Sequence, residues 1–253
     1  MKDKIYLATF SENAVEVAKK YGVKLEINDI CISDMLDPEK RENLLATIRK
    51  ELEDCGSEEA IIHGPFTEII PSAIDHRAVD FGLSRLEEAY EVAEALGIKR
   101  MVVHTGYIPQ MYYKNWHLEH SIAFWSRFME DKPADFQIFI ENVFDDEPAM
   151  QKDLIDGLND PRIRACLDVG HAHVMTMAEY DVYQWIEILG HRIGHFHLHN
   201  NDSSFDTHQD LTDGTLDMVK VLECIKTYCT EDVTLTIESR KCDENTKWLL
   251  QQK

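Results

Sequence analysis

No stretch of the 253 residues approaches the ~18 apolar residues of a membrane-spanning helix. The N-terminal stretch MKDKIYLATF carries neither the long apolar segment nor the small-residue cleavage site of a signal peptide. The six cysteines (Cys31, Cys55, Cys166, Cys224, Cys229 and Cys242) form no C-x-x-C pair and no framework spacing, so reduced thiols in a cytoplasmic protein are expected. No Lys/Arg-rich run appears, and 47 acidic against 26 basic residues give a formal net charge of −21. Such a surface repels nucleic acid and anionic membrane, so neither is an expected partner. A Gly-rich nucleotide turn is also missing after the first strand, where ATFSENA stands instead.

What is present is an alternation of short β-branched runs and longer amphipathic segments. The runs KIYLATF, VKLEIND, EAIIHGPF, KRMVVHTG, FQIFIENV, RIRACLDVGH, RIGHFHLHN and DVTLTIES read as strands. Helical patterns lie between them, with Ser11 and Asp37 as expected N-caps and Gly22, Gly56 and Gly97 as stops. Repeated strand-then-helix units imply parallel strands joined by right-handed crossovers. Eight units over this length predict a (β/α)₈ TIM barrel, with residues 1–253 forming one domain.

In such a barrel, chemistry sits at the C-terminal ends of the strands. Strand three ends in His63, strand four in His104, strand five in Glu141 and strand eight in Glu238. Strand six ends in Asp168, with His171 one turn on, and the loop after strand seven adds Asp206 and His208. Any one of these, taken alone, reads as a capped or hydrogen-bonded structural residue. Six consecutive strands delivering His or carboxylate to one rim is a different matter. Unpaired, these groups would repel one another or be costly to bury, and a divalent cation removes the conflict. His and carboxylate ligands without thiolate suit Zn²⁺, Mn²⁺, Fe²⁺ or Co²⁺ better than Ca²⁺ or Mg²⁺. On strand seven, His195, His197 and His199 share the inward face about 6.5 Å apart, and spacing alone does not say which is a ligand. His173 reads as structural. The loop GYIPQMYYKNW offers Tyr107, Tyr112, Tyr113 and Trp116, as candidates either to stack on a sugar ring or to pack on the rim. Arg77, Lys114 and Arg240 are the cations near strand ends, enough for one phosphate but thin for a duplex.

Taken together, these residues resemble the xylose-isomerase-like barrel superfamily, which includes sugar isomerases and epimerases and the endonuclease IV group (AP endonuclease family 2). In the isomerase and epimerase branch, the resemblance implies one divalent metal held by Glu141, Asp168, His197 and Glu238. Glu141 and Glu238 would also move protons, and His171 would contact a substrate oxygen. In the endonuclease IV branch it implies up to three zinc ions, with His63, His104, His171, Asp206 and His208 as further ligands. DTHQDLTDGTLD resembles that branch's Asp-x-His followed by Leu-Gly-x-Gly, but has Thr212 where Gly is usual. Two activities therefore stand side by side. One is isomerisation or epimerisation of a sugar or sugar phosphate, and the other is phosphoester hydrolysis. A non-catalytic binding barrel is less expected, because both Glu141 and Glu238 are present.

Overall fold

The computed structural model describes residues 2–252. Eight parallel strands close into a barrel in sequence order: β1 (Ile5–Ala8), β2 (Lys24–Ile27), β3 (Ala60–His63), β4 (Arg100–His104), β5 (Gln137–Glu141), β6 (Ile163–Asp168), β7 (Ile193–Leu198) and β8 (Thr234–Ile237). β8 pairs back onto β1, leaving no sheet edge. The helices are α1 (Ala14–Tyr21), α2 (Pro38–Cys55), α3 (His76–Leu96), α4 (Lys114–Met129), α5 (Pro148–Leu158), α6 (Val169–Met175), α7 (Val182–Leu189), α8 (Met218–Tyr228) and α9 (Cys242–Gln251). The expected (β/α)₈ TIM barrel is the fold observed. No helix among the described residues is long and apolar enough to cross a membrane.

Gly22, Gly56 and Gly97 end α1, α2 and α3 in the left-handed conformation, where glycine has no Cβ penalty. The two expected N-caps differ. The α1 cap is Asn13, because Ser11 instead donates its hydroxyl to the carbonyl of Ser239 across the barrel closure. Asp37 does stand at the N-cap of α2, but its carboxylate is taken by Arg85 at 2.9 Å rather than by the helix. The short α6 breaks the strand-six reading early. Asp168 ends β6 and at once caps this helix, accepting from the His171 backbone N–H at 2.6 Å.

The pleat sorts each strand into two faces. Met101 and Val103, Ile138 and Ile140, Leu167, Phe196 and Leu198, and Leu235 and Ile237 point outward into the layer shared with the helices. The intervening residues point into the barrel. The lower interior is apolar on β1 and β3 to β6, where Tyr6, Ile61, Val102, Phe139 and Cys166 pack together, and polar on β2, β7 and β8, where Glu26, His195 and Thr236 stand at the same level. One step further along the same strands the interior turns polar. Pairing sets His104 beside Glu141 and Asp168 beside His197, so the register brings the sequence-predicted residues to one level.

Candidate metal centre

The polar layer is built around Glu141, which is 1 % exposed at the end of β5. Its Oε1 faces His171 Nδ1 at 3.2 Å and His197 Nδ1 at 3.3 Å. Its Oε2 faces His63 Nε2 at 3.3 Å and His104 Nε2 at 3.4 Å. His197 Nδ1 also sees Glu238 Oε1 at 3.4 Å and Asp168 Oδ2 at 3.8 Å. Asp206 reaches in from the loop after β7, with Oδ2 lying 3.3 Å from His171 Nε2 and 3.1 Å from His208 Nε2. Reciprocal amide bonds hold the ends of β5 and β6 together. Asn142 donates to the carbonyl of Asp168 at 3.0 Å and accepts from its N–H at 2.9 Å.

All nine sequence-predicted residues therefore meet in one place. Their ligand atoms fall into groups, each within 4.8 Å: Glu141, Asp168 and His197; His63, His104 and Glu141; Glu26, His63, His197 and Glu238; and, beside these, His171, His199, Asp206 and His208. His199 joins the last group, its Nε2 lying 3.0 Å from Asp168 Oδ1. Gly170 leaves room for this ring, since a Cβ there would lie 1.9 Å from it. His173 bonds Thr215 outside the cluster, as a structural residue would.

Two observations show that the donor set suits a divalent cation. First, the imidazoles are oriented from behind. His63, His171 and His208 each have Nδ1 within 3.0 Å of a backbone carbonyl (Gly64, Asn142 and Glu238), so Nδ1–H donates outward and Nε2 turns its lone pair toward a carboxylate. Outward donation of this kind fixes metal-binding imidazoles. Second, His197 Nδ1 and Nε2, His199 Nδ1, Asp206 Oδ1 and Glu26 Oε1 are buried without a hydrogen-bond partner among the described residues. Lone pairs that face carboxylates without a donor need a proton or a cation between them.

With protons alone in that role, the titrations spread. Burial opposes charge on His171, but Asp168, Asp206 and Glu141 raise it well above the ordinary histidine range. His197 is likewise raised against burial, by Cys166, Glu238, Glu26 and Glu141. Burial leads on His104 and pulls it down to about 3. Burial pushes Glu141 up, yet His197 and His104 hold it well below the ordinary carboxylate range. Glu238 moves the other way: burial raises it, His197 opposes, and the charges on Glu141, Glu26 and Asp168 raise it further.

A cavity of about 440 Å³ opens above this layer, with Glu141, Glu238, His63 and His171 in its floor and Phe10, Phe66 and Val143 in its walls. The aromatic loop after β4 does not contribute, because none of its four candidates is among the described lining residues. Tyr107 is buried against His117, Trp116 donates to the Ser72 carbonyl, and Tyr113 is 83 % exposed. The aromatic wall is instead Phe66, stacked 4.5 Å from His104, and Phe10, edge-on to His208. Arg77 and Lys114 are also spent elsewhere, on Asp75 and on Asp146 and Glu147. Arg240 alone of the three lies beside the site, in a groove with Asp206 and His208.

Glu26, in the middle of β2, is a site residue that strand-end reading missed. It is fully buried, 3.0 Å from both His195 and His197. The available signal was a carboxylate flanked by Leu25 and Ile27 in a strand buried on both faces.

The xylose isomerase-like TIM barrel family matches residues 15–252. A curated relative, the uncharacterized protein MJ1311 of Methanocaldococcus jannaschii, is 26 % identical over 186 residues, covering 70 % of this chain and 63 % of that protein. Among solved structures, a D-allulose 3-epimerase from Methylomonas sp. in complex with D-allulose superposes with a TM-score of 0.77 at 17 % identity, covering 100 % of this chain and 98 % of that one. The TTHB071 protein of Thermus thermophilus, from a crystal soaked with ZnCl₂, gives 0.76 at 21 % identity, covering 98 % and 96 %. A D-tagatose 3-epimerase-like protein gives 0.74 at 22 % identity, also covering 98 % and 96 %. With its barrel, its register and its matched length in agreement, the chain belongs to the xylose isomerase-like TIM barrel family.

Proposed function

We propose that this protein is a divalent-metal-dependent isomerase or epimerase of a sugar or sugar phosphate. The observation that carries the reading is the convergence of Glu141, Asp168 and Glu238 on the bare Nδ1 of His197, at 3.3, 3.8 and 3.4 Å, beneath a cavity sized for a small molecule. These four residues would hold a cation such as Zn²⁺ or Mn²⁺. Bound there, it would supply Lewis acidity toward a carbonyl oxygen and its neighbouring hydroxyl, acidifying the carbon-bound proton between them. The chain's own groups do the rest. Glu141 and Glu238 flank the His197 Nδ1 at 3.3 and 3.4 Å, and each is suited to hold the cation through one oxygen and move a proton with the other. His171 stands at the cavity floor, where a hydrogen bond to a substrate oxygen is within its reach. Phe10 and Phe66 offer apolar faces to the ring or chain. The D-allulose 3-epimerase with D-allulose bound has the same fold, which supports a ketose or related substrate.

A second reading, a multi-zinc phosphoesterase, is favoured by one feature. Both oxygens of Glu141 face imidazole nitrogens, His197 Nδ1 on one side and His63 and His104 Nε2 on the other, as a bridging carboxylate would require. The net charge of −21 weighs against a duplex substrate and leaves a small phosphoester in play.

Elemental analysis of untagged protein purified without chelator tests the two. One ion per chain, with solvent-deuterium exchange into a ketose from a sugar panel, supports the isomerase reading. Two or three zinc ions with turnover of small phosphoesters, and no exchange, replaces it with the hydrolase. No metal after reconstitution and no turnover overturns both.

A further inference from the structure

We propose that Glu26 is a positioning residue that fixes the tautomer and ring orientation of His197, and with them the cation affinity of the centre. The inference rests on the metal reading above. His197 has two nitrogens and two opposed environments. Nδ1 faces three carboxylates of the site, while Nε2 points down the barrel to Glu26 Oε1 at 3.0 Å. Neither Nε2 nor Glu26 Oε1 has a partner in hydrogen-bond geometry among the described residues, so the 3.0 Å approach joins two otherwise unsatisfied buried atoms. An ionised carboxylate accepts only. A proton on Nε2 therefore meets the Glu26 carboxylate electrostatically and leaves the Nδ1 lone pair for a cation. A proton on Nδ1 would do the reverse, setting a lone pair against a carboxylate below and blocking the ligand position above.

Glu26 is itself held from the far side. Its Oε2 accepts from the Thr236 hydroxyl at 2.5 Å and lies 3.0 Å from His195 Nε2. The other His195 nitrogen meets the Thr234 hydroxyl at 2.6 Å, and the ring stacks on Phe139. Thr234, His195, Thr236 and Glu26 form a polar support one layer below the site, all of it on the inward faces of β2, β7 and β8. A merely structural buried carboxylate would need one partner. This one is held through Oε2, and its Oε1 is kept for the single imidazole that three site carboxylates surround.

The test is Zn²⁺ affinity by competition with a chromophoric chelator, read beside thermal stability, for wild type, Glu26→Gln and Thr236→Val. Glu26→Gln keeps shape and an acceptor but removes the charge. It is expected to keep the stoichiometry and weaken Zn²⁺ binding about 10- to 100-fold. Thr236→Val, which only loosens Oε2, is expected to weaken it about two- to fivefold. Long-range ¹H–¹⁵N spectra of the zinc-loaded protein should show His197 protonated at Nε2. Wild-type affinity in a folded Glu26→Gln protein, or a proton on His197 Nδ1, overturns the proposal while leaving the metal reading intact. Complete loss of one ion from a folded Glu26→Gln protein also overturns it, because Glu26 would then be a ligand. Should Glu26→Gln not fold, unchanged affinity in Thr236→Val overturns it. Wild-type protein that binds no Zn²⁺ overturns the metal reading and this proposal together.

Discussion

On the β1 and β3 to β6 side of the barrel interior, two adjacent levels follow opposite rules. In the lower one, Tyr6, Ile61, Val102, Phe139 and Cys166 bury apolar or nearly apolar side chains from β1, β3, β4, β5 and β6. In the upper one, β3 to β8 bring His63, His104, Glu141, Asp168, His197 and Glu238 to the same level. Both sets of groups are buried by the same backbone, two residues or less apart along a strand. The lower layer gains from burial at roughly 25 cal/mol per Å² of apolar surface. The upper layer loses by it, since ionised groups leave water. The difference teaches where the fold's stability resides and where its chemistry does.

The sharpest way to break the comparison is to remove chemistry without removing fold. Glu238→Gln should lower turnover about 10²- to 10⁴-fold, the range of a general acid or base. In metal-free protein it should leave the melting temperature unchanged or raised, because one carboxylate of a like-charge group is gone. Steady-state kinetics with thermal melts will read both, and full activity would remove Glu238 from the mechanism. The reverse experiment is Ile61→Ala in the lower layer. It should cost about 2–5 kcal/mol of unfolding free energy, with the metal content per folded chain unchanged. A loss of metal would show that the layers are not separable.

The pH dependence of stability sharpens the same contrast. In metal-free protein, burial pulls His208 down, but Asp206 and Glu238 push it up to about 9, from an ordinary value of 6.5. A raised histidine contributes stability that is fully present below 6.5 and is lost as pH rises through about 9. Metal-loaded protein should slope the other way, since a cation competes with those same protons. Melts with chelator and with Zn²⁺ from pH 6 to 9 should therefore diverge as pH rises, and parallel curves would count against the cluster as a cation site. Smaller still, under the isomerase reading, are His63→Ala and His104→Ala. Each should change turnover by less than about tenfold, whereas in a multi-zinc hydrolase each should lose metal as well as activity. At the bottom of the scale, Tyr113→Ser on the exposed loop should stay within about 0.5 kcal/mol in stability and leave turnover unchanged.

The barrel was legible because eight strand-and-helix periods repeat along the chain, and glycine stops such as Gly22, Gly56 and Gly97 punctuate them. The strand-end residues were legible for a geometric reason: the last inward position of each strand faces the same rim, whatever the register. Glu26 was not, since it lies before the end of β2 and only closure of the barrel brings it under His197. His199 was left open for a related reason, because alternation puts three histidines inward and cannot rank them by depth. The aromatic loop failed as a predictor because composition gives no direction. Tyr107 turns into the packing around His117, while Phe10 and Phe66, in other loops, face the cavity.

The reciprocal amide pairing of Asn142 with the Asp168 backbone has a consequence for how fast the centre can load. Glu141 and Asp168 repel each other when no cation lies between them, and side chains free to respond would swing apart. Clamping Asn142, next to Glu141, onto the backbone of Asp168 itself keeps the two carboxylates close whether or not a cation is bound. Under the proposed metal reading, capture would then require little chain rearrangement.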